Sequence, residues 1–339
     1  MQKIGFAILG TGLIADKFQM AIAASADLGA ELIAVGHYKP EKFAAISEKF
    51  GVPCVTEQDL LDNPDVDVLC ICTPSGQHAQ QTITAAKAGK HVLVEKPIAL
   101  SLADTDAMIA ACEKSNVKLG VAYQSRTKSI FQKVKKAIDN GDLGELTLGS
   151  ITMPYYRNMD YYNLADWRGT WELDGGGILM NQGIHEVDLL VWLMGNPTSI
   201  QAHAATSQRD IEVEDVVAAT LNFENGALAT ITATTTADGG FPRQLELYGT
   251  GGGIQIEGEK ARRWQVNNPA KETIEPPEIG ITKDRGGKTT GKTSHDALIR
   301  DFIEAIRDNR PPLIDGHEGR RSLKTVLDVY KAAGLREEK

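Results

Sequence analysis

No run of this 339-residue chain approaches the roughly 18 consecutive apolar residues that a membrane-spanning helix needs. Cysteine is scarce too, with four residues: Cys54, Cys70, Cys72 and Cys112. Cys70 and Cys72 alternate with Leu69 and Ile71 in an apolar run, the pattern of a buried strand. The further ligands that a zinc site requires at regular spacing are missing, so all four read as buried structural thiols and no metal is expected. Positive charge is in deficit: 36 Lys and Arg stand against 45 Asp and Glu, a net −9. The basic residues are scattered apart from pairs such as Lys135-Lys136 and Arg262-Arg263. Such a chain repels a phosphate backbone, which argues against nucleic acid as a partner. The first residues, Met1 to Phe6, run into a strand pattern without signal-peptide anatomy, so a cytoplasmic protein with no membrane partner is expected.

What is present is alternation. Short apolar runs, Ile4–Leu9, Glu31–Tyr38, Val66–Cys72, His91–Val94 and Lys118–Tyr123, are separated by helix-period segments. That order predicts a parallel sheet covered on both faces. Beyond residue 125 the character changes. Phe131–Asn140 reads as a helix, Leu146–Met153 as a strand and Ile178–Met194 as one strongly apolar helix ended by Gly195. From Ile200 to Ile256 strands follow one another. Val217, Ala219, Leu221 and Phe223 share one face, Asn225-Gly226 marks a hairpin, and Thr230, Thr232 and Thr234 face away from Ala229, Ile231 and Ala233. The expected class is α/β: a doubly wound Rossmann sheet over 1–125, then a second α/β domain over 126–339 with a large, mostly antiparallel open sheet. Helices Asp296–Asn309 and Arg320–Leu335 close the chain, with room to pack back on the first domain. Residues 267–293, rich in Pro, Gly, Lys and Thr, read as an exposed loop. The threonine-lined face is either solvated or a subunit interface, so oligomerisation is expected.

Gly10-Thr11-Gly12-Leu13-Ile14-Ala15 has the form G-x-G-x-x-A between the first strand and a helix. The first glycine makes the tight turn and the second lets a pyrophosphate approach the backbone. The helix N-terminus at Leu13 and Ile14 then offers N–H groups to the anion. The second strand ends in His37, Tyr38 and Lys39, with His37 where an acid would hold a ribose diol. A basic pair there suits a 2′-phosphate, which favours NADP over NAD.

Two further clusters carry chemistry. Glu95-Lys96-Pro97 closes a parallel strand at the edge where such sheets bind ligands; a cationic Lys96 there can orient a hydroxyl and stabilise alkoxide charge. Gly175-Gly176-Gly177 precedes a helix on which Asn181 and His185 stand four apart, with Asp188 three further on. A histidine in so apolar a helix is as readily a satisfied core residue; the polar positions beside it favour chemistry. Between these clusters, Tyr155-Tyr156-Arg157, Tyr161-Tyr162 and Trp167-Arg168-Gly169-Thr170-Trp171 read as a pocket wall, with Arg126 and Lys128 facing the same cleft. So many cations point to an anionic substrate: a uronate, sugar phosphate or nucleotide sugar.

The glycine turn, Thr73-Pro74 with His78, Glu95-Lys96-Pro97 and the glycine-rich helix ending in His185 together resemble the Gfo/Idh/MocA family, the relatives of glucose–fructose oxidoreductase and inositol dehydrogenase. The resemblance covers nearly the whole chain and implies a homodimer or homotetramer built on the open sheet. It implies hydride transfer between a nicotinamide and a secondary alcohol or ketone of a sugar or cyclitol, with Lys96 positioning the substrate and His185 as general acid/base. Tyr123, Arg126, Arg157, Trp167, Asn181 and Asp188 are the expected substrate contacts. Thr73, Pro74, Ser75, His78, Glu95, Lys96, Gln124 and Arg168 join the glycine turn and His37–Lys39 as cofactor contacts. One departure stands out: the aspartate that commonly precedes the histidine by four positions is Asn181 here. Then His185 works unaided, or Asp188 assists, or Lys96 takes more of the proton transfer. Two other readings remain open, glycoside cleavage through a transient keto-sugar with retained NAD, and a non-catalytic dinucleotide sensor.

Overall fold

The computed structural model describes residues 3–266 and 294–336. They divide into two compact units, residues 3–124 with 294–320 and residues 125–266 with 321–336. In the first unit, strands and helices alternate: β1 Ile4–Leu9, α1 Leu13–Ala23, β2 Ala30–Gly36, α2 Phe43–Phe50, β3 Cys54–Val55, α3 Glu57–Asp62, β4 Val68–Ile71, α4 His78–Lys87, β5 His91–Val94, α5 Leu102–Lys114 and β6 Leu119–Val121. All six strands run parallel in the order β3-β2-β1-β4-β5-β6. β1 and β4 are buried along their whole length, which is why they read as unbroken apolar runs rather than alternating ones. The strand order reverses between β1 and β4, and the crevice outside their carboxyl ends is where such sheets hold ligands. Helix α9, Ser294–Arg307, packs on α1 of this unit.

In the second unit, α6 (Ser129–Asp139), β7 (Leu146–Pro154) and the short α7 (Met159–Tyr162) lead to α8 (Ile184–Met194). Six strands follow: β8 Pro197–Ala205, β9 Val216–Phe223, β10 Leu228–Thr234, β11 Gln244–Gly249, β12 Gly252–Glu257 and β13 Lys260–Val266. The seven-stranded sheet has the order β13-β12-β11-β7-β10-β9-β8 and is antiparallel except for β7 with β10. Alternation sets its faces as the sequence predicts. Val217, Ala219, Leu221 and Phe223 are buried, as are Ala229, Ile231 and Ala233, while Thr230 and Thr232 point the other way. On that open face Leu148 and Leu228 are cross-strand partners and remain 43% and 52% exposed. α8 covers the buried side, against β7 and α6. Helix α10, Gly316–Ala332, closes the fold, and the boundary between the units falls inside it. The loop expected over 267–293 lies outside the described residues.

One element departs from expectation. Ile178–Met194 is not one α-helix: Ile178–Gln182 is a wide π-helical turn, closed by Gly183 N–H donating to Ile178 O at 2.7 Å, and α8 begins after it. The four-residue spacing of Asn181 and His185 therefore does not place them on one regular helix face.

A second departure concerns Arg126 and Asp188, both read as facing substrate. They face each other: Arg126 Nε and Nη2 donate to Asp188 Oδ2 and Oδ1 at 2.8 and 2.7 Å, and Ser322 Oγ adds a bond to Oδ1 at 2.6 Å. Both side chains are shut off from solvent, at 2% and 0% exposure, with the guanidinium 5.4 Å from the Trp192 ring centre. Removing one member of such a pair strands a buried charge. Asp188→Ala is expected to cost about 3–5 kcal/mol of stability, read from urea unfolding. A loss below about 1 kcal/mol would return Asp188 to the substrate site.

Candidate active site

The glycine turn does what its sequence requires. Gly10 has φ +94°, and an added Cβ would lie 2.7 Å from the carbonyl carbon of Cys72. No side chain fits there, on either count. Gly12 begins α1 in extended conformation without a side-chain cap, and a Cβ added to it would meet nothing within 4 Å. No side chain caps the first amides of α1, and they lie beside open space, a geometry that suits an anion. Thr11 and Ile14 are half-buried, Leu13 is exposed, and Ala15 is wholly buried where helix meets sheet. At the end of β2, His37 Nδ1 accepts from Lys39 N–H at 3.0 Å, and the His37 and Tyr38 rings stack at 4.8 Å. Lys39 Nζ lies 5.3 Å from the Tyr38 ring centre, and Tyr38 itself is exposed.

At the ends of β4 and β5 several expected cofactor contacts turn out to brace the backbone. His78 is buried, its Nδ1 2.8 Å from Pro97 O and its Nε2 3.0 Å from Thr73 O. Burial lowers its pKa, although both carbonyls favour the protonated ring. His78 therefore ties the Thr73-Pro74 turn to the Lys96-Pro97 segment, whose peptide bond is cis, and its reading as a cofactor contact is corrected. Glu95 is likewise turned inward. One carboxylate oxygen accepts the Lys96 amide at 3.1 Å and the other lies 3.4 Å from His295 Nε2. Lys96 is half-buried at the strand end, as are Thr73, Pro74 and Gln124, whereas Ser75 is buried. Tyr123, read as a substrate contact, has no exposed surface with which to meet a sugar. The thiols of Cys70 and Cys72 lie inside the sheet; burial, and then the Glu95 charge, push both far above the usual range.

The second unit gathers the aromatic and basic stretch around Tyr161. Arg168 Nη1 and Gln182 Nε2 both donate to the Tyr161 hydroxyl, at 2.5 and 3.0 Å. The guanidinium carbons of Arg168 and Arg157 lie 4.4 and 5.1 Å from the Tyr161 ring centre, and Arg168 is 4.6 Å from that of the half-buried Trp167. Neither arginine has a carboxylate partner among the described residues, and the enclosed Nε of each donates to nothing there. Asp174, buried, accepts from Gly169 N–H and from Asn181 Nδ2 at 2.9 and 2.8 Å. Asn181 is thus oriented by a carboxylate seven residues earlier. His185 is half-buried at the start of α8. The next residue, Glu186, is buried and held by Arg243 at 2.8 Å and the Tyr155 hydroxyl at 3.1 Å. Burial, reinforced by Glu186, raises the pKa of that phenol. Gln182, Glu186 and Arg243 carry no local signal, because each acts through a partner distant in sequence. Among the described residues no three His, Cys, Asp or Glu side chains form a metal-ligand group.

Residues 4–123 match the family described as oxidoreductase, NAD-binding Rossmann fold, and residues 131–255 match the GFO/IDH/MocA C-terminal domain. Myo-inositol 2-dehydrogenase of Thermotoga maritima is 26% identical over 91% of this chain and 89% of its own. The uncharacterized oxidoreductase YrbE of Bacillus subtilis is 31% identical over 77% of this chain and 74% of its own. Among solved structures, the WlbA dehydrogenase of Bordetella pertussis, in complex with NADH and UDP-GlcNAcA, superposes with a TM-score of 0.87 at 33% identity, covering 98% of this chain and 97% of that one. Dehydrogenases among the relatives do not favour the glycoside-cleaving or sensor readings. For the dinucleotide cradle, Gly12→Val is the sharpest probe, since the added side chain meets only space that a ligand would fill. The variant should unfold like wild type and bind NADH at least about 100-fold more weakly, the scale of losing contacts worth about 2.7 kcal/mol. Unchanged affinity would remove the pyrophosphate from this turn.

Proposed function

Because the chain belongs to the Gfo/Idh/MocA family of oxidoreductases, we propose that it is an NAD(P)-dependent dehydrogenase, or in reverse a ketone reductase, of an anionic sugar derivative. The observation that carries the choice of substrate is the pair Arg157 and Arg168. In a chain of net charge −9, two guanidiniums share one tyrosine ring with no carboxylate beside them among the described residues. Arginine forks match carboxylate and phosphate oxygens, and unused Nε donors need an acceptor. The diphosphate-bearing ligand of the Bordetella relative supports the same reading.

A bound nicotinamide would supply the hydride acceptor for the carbinol carbon. His185 accepts the hydroxyl proton as the C=O bond forms, and cationic Lys96 donates a hydrogen bond to the developing alkoxide oxygen. Asp188 gives the imidazolium no support, being committed to Arg126. Asn181 orients the substrate and is itself fixed by Asp174. His37, Tyr38 and Lys39 leave no acid for a ribose diol, so NADPH is proposed to bind at least as tightly as NADH. Homo-oligomerisation through the open sheet is proposed from the exposed Leu148–Leu228 pair.

A panel of uronates, sugar phosphates, nucleotide sugars and neutral cyclitols, followed at the nicotinamide absorbance, tests this. His185→Ala should lower kcat by about 100-fold or more on the best substrate. Arg168→Ala should raise KM by about 10- to 150-fold for an anionic substrate and leave a neutral one unchanged, as for lost charge-assisted hydrogen bonds. Preference for neutral cyclitols, indifferent to Arg168, would refute the anionic reading. In direct titration Lys39→Ala should weaken NADPH by about tenfold, one charged contact, and spare NADH. NADH tighter than NADPH in the wild type would contradict the cofactor proposal.

A further inference from the structure

The wide turn before His185 begins with a problem that its own sequence cannot solve. Gly175-Gly176-Gly177 carries no side chain, and Ile178, Leu179 and Met180 offer none that can cap a helix. The first amides of the turn need acceptors from elsewhere in the chain. Glu214 and Tyr330 supply all of them. Glu214 Oε2 accepts from Gly177 N–H at 2.8 Å, Oε1 from Leu179 N–H at 2.9 Å, and the Glu214 carbonyl from Ile178 N–H at 3.1 Å. The Tyr330 hydroxyl, from α10, accepts from Met180 N–H at 3.1 Å and donates to Glu214 Oε1 at 2.8 Å. The next amide, Asn181 N–H, is the first to find a carbonyl within the turn, that of Gly177 at 3.0 Å.

The glycines exist for this contact. A Cβ on Gly177 would lie 1.8 Å from Glu214 O, and one on Gly176 would lie 2.2 Å from the Tyr330 hydroxyl. Glu214 and Tyr330 are buried, and Trp171 closes over Tyr330 edge-on at 5.6 Å. A buried carboxyl is a costly device: burial pushes Glu214 up to about 7, against the pull of the hydrogen bonds it accepts. An apolar residue would fill the space without that cost, but would leave the amides of Gly177 and Leu179 unsatisfied and the turn without a defined shape.

We propose that Glu214 and Tyr330 are a positioning pair for proton transfer: by holding the amides of Gly177 to Met180 they fix the wide turn that aims Asn181 and starts α8 at the angle His185 requires. The inference rests on the reading of His185 as the acid/base. Neither residue touches the reacting atoms. Glu214→Gln keeps size and removes one acceptor, setting an NH₂ against an amide N–H. Tyr330→Phe keeps the ring and removes both hydroxyl bonds.

The test uses the full-length protein with three readouts: steady-state kinetics on the best substrate of the panel, NADH titration, and hydrogen exchange of the peptide spanning residues 175–185. Both variants should exchange that peptide at least tenfold faster. Their kcat should fall by about 10- to 100-fold, the scale of an ångström-sized misplacement. KM and NADH affinity should stay within twofold, and the double variant should be no slower than the worse single one. Full kcat with accelerated exchange would overturn the positioning role, as would unchanged exchange. So would losses of KM and NADH affinity in step with kcat, which mark general unfolding. His185→Gln is the control: if it keeps full turnover, the proton-transfer reading falls and this inference with it. If His185→Gln is inactive while Glu214→Gln and Tyr330→Phe are fully active, only the positioning role falls. Should Glu214→Gln fail to fold, Tyr330→Phe alone decides.

Discussion

A helix that opens on a bare glycine leaves its first N–H groups without partners, and how those groups are satisfied organises both units of this protein. Gly12 brings no side-chain cap, its carbonyl accepts from Ala15 N–H at 3.1 Å, and the space a side chain would occupy is open. Gly10 lets the Cys72-Thr73 backbone approach the turn, and His78 ties Thr73 to Pro97. The parallel strands bring these segments to one sheet edge, where such folds hold ligands. At Gly177 the same problem is met from inside, by Glu214 and Tyr330. One helix start is left without a side-chain cap; the other is capped by residues distant in sequence.

The charges of the second unit divide in a similar way. Most of its buried acids are engaged: Asp188 with Arg126, Glu186 with Arg243 and Tyr155, Asp174 with Gly169 and Asn181, and Asp215 with the amides of residues 207–209. Pairing of this kind offsets the cost of desolvating a carboxylate; Asp142, buried with neither carboxylate oxygen hydrogen-bonded, is the exception. Arg157 and Arg168 stand apart, because their charge finds only aromatic faces and neutral oxygens among the described residues. These two open guanidiniums are what the proposed anionic substrate would engage.

The sequence made the strand–helix alternation and parallel sheet of the first unit and the faces of β9 and β10 legible, because periods of two and unbroken apolar runs record burial directly. The glycine turn was legible for the same reason: φ > 0 and close approach leave glycine as the residue that fits. What local pattern could not show was who satisfies whom. Arg126 and Asp188 carry the residue types of a substrate site, yet they lie 62 positions apart in sequence and pair with each other. His78 and Glu95 stand beside the cofactor motifs and are spent on backbone. Ile178–Met194 is strongly apolar and reads as one helix; Glu214, far along the chain, caps its first turn, which has another pitch. In each case the deciding partner lies beyond the window in which periodicity operates.

Direct hydride transfer from sugar carbon to nicotinamide is the claim on which the account turns. It can be followed with a substrate from the preferred class carrying deuterium on the carbon that is oxidised, with both products read by mass spectrometry. The account predicts one deuterium in the released reduced dinucleotide for each ketone formed, slowed relative to the protium substrate. Deuterium returned to the sugar or lost to solvent, with no reduced dinucleotide accumulating, would contradict it.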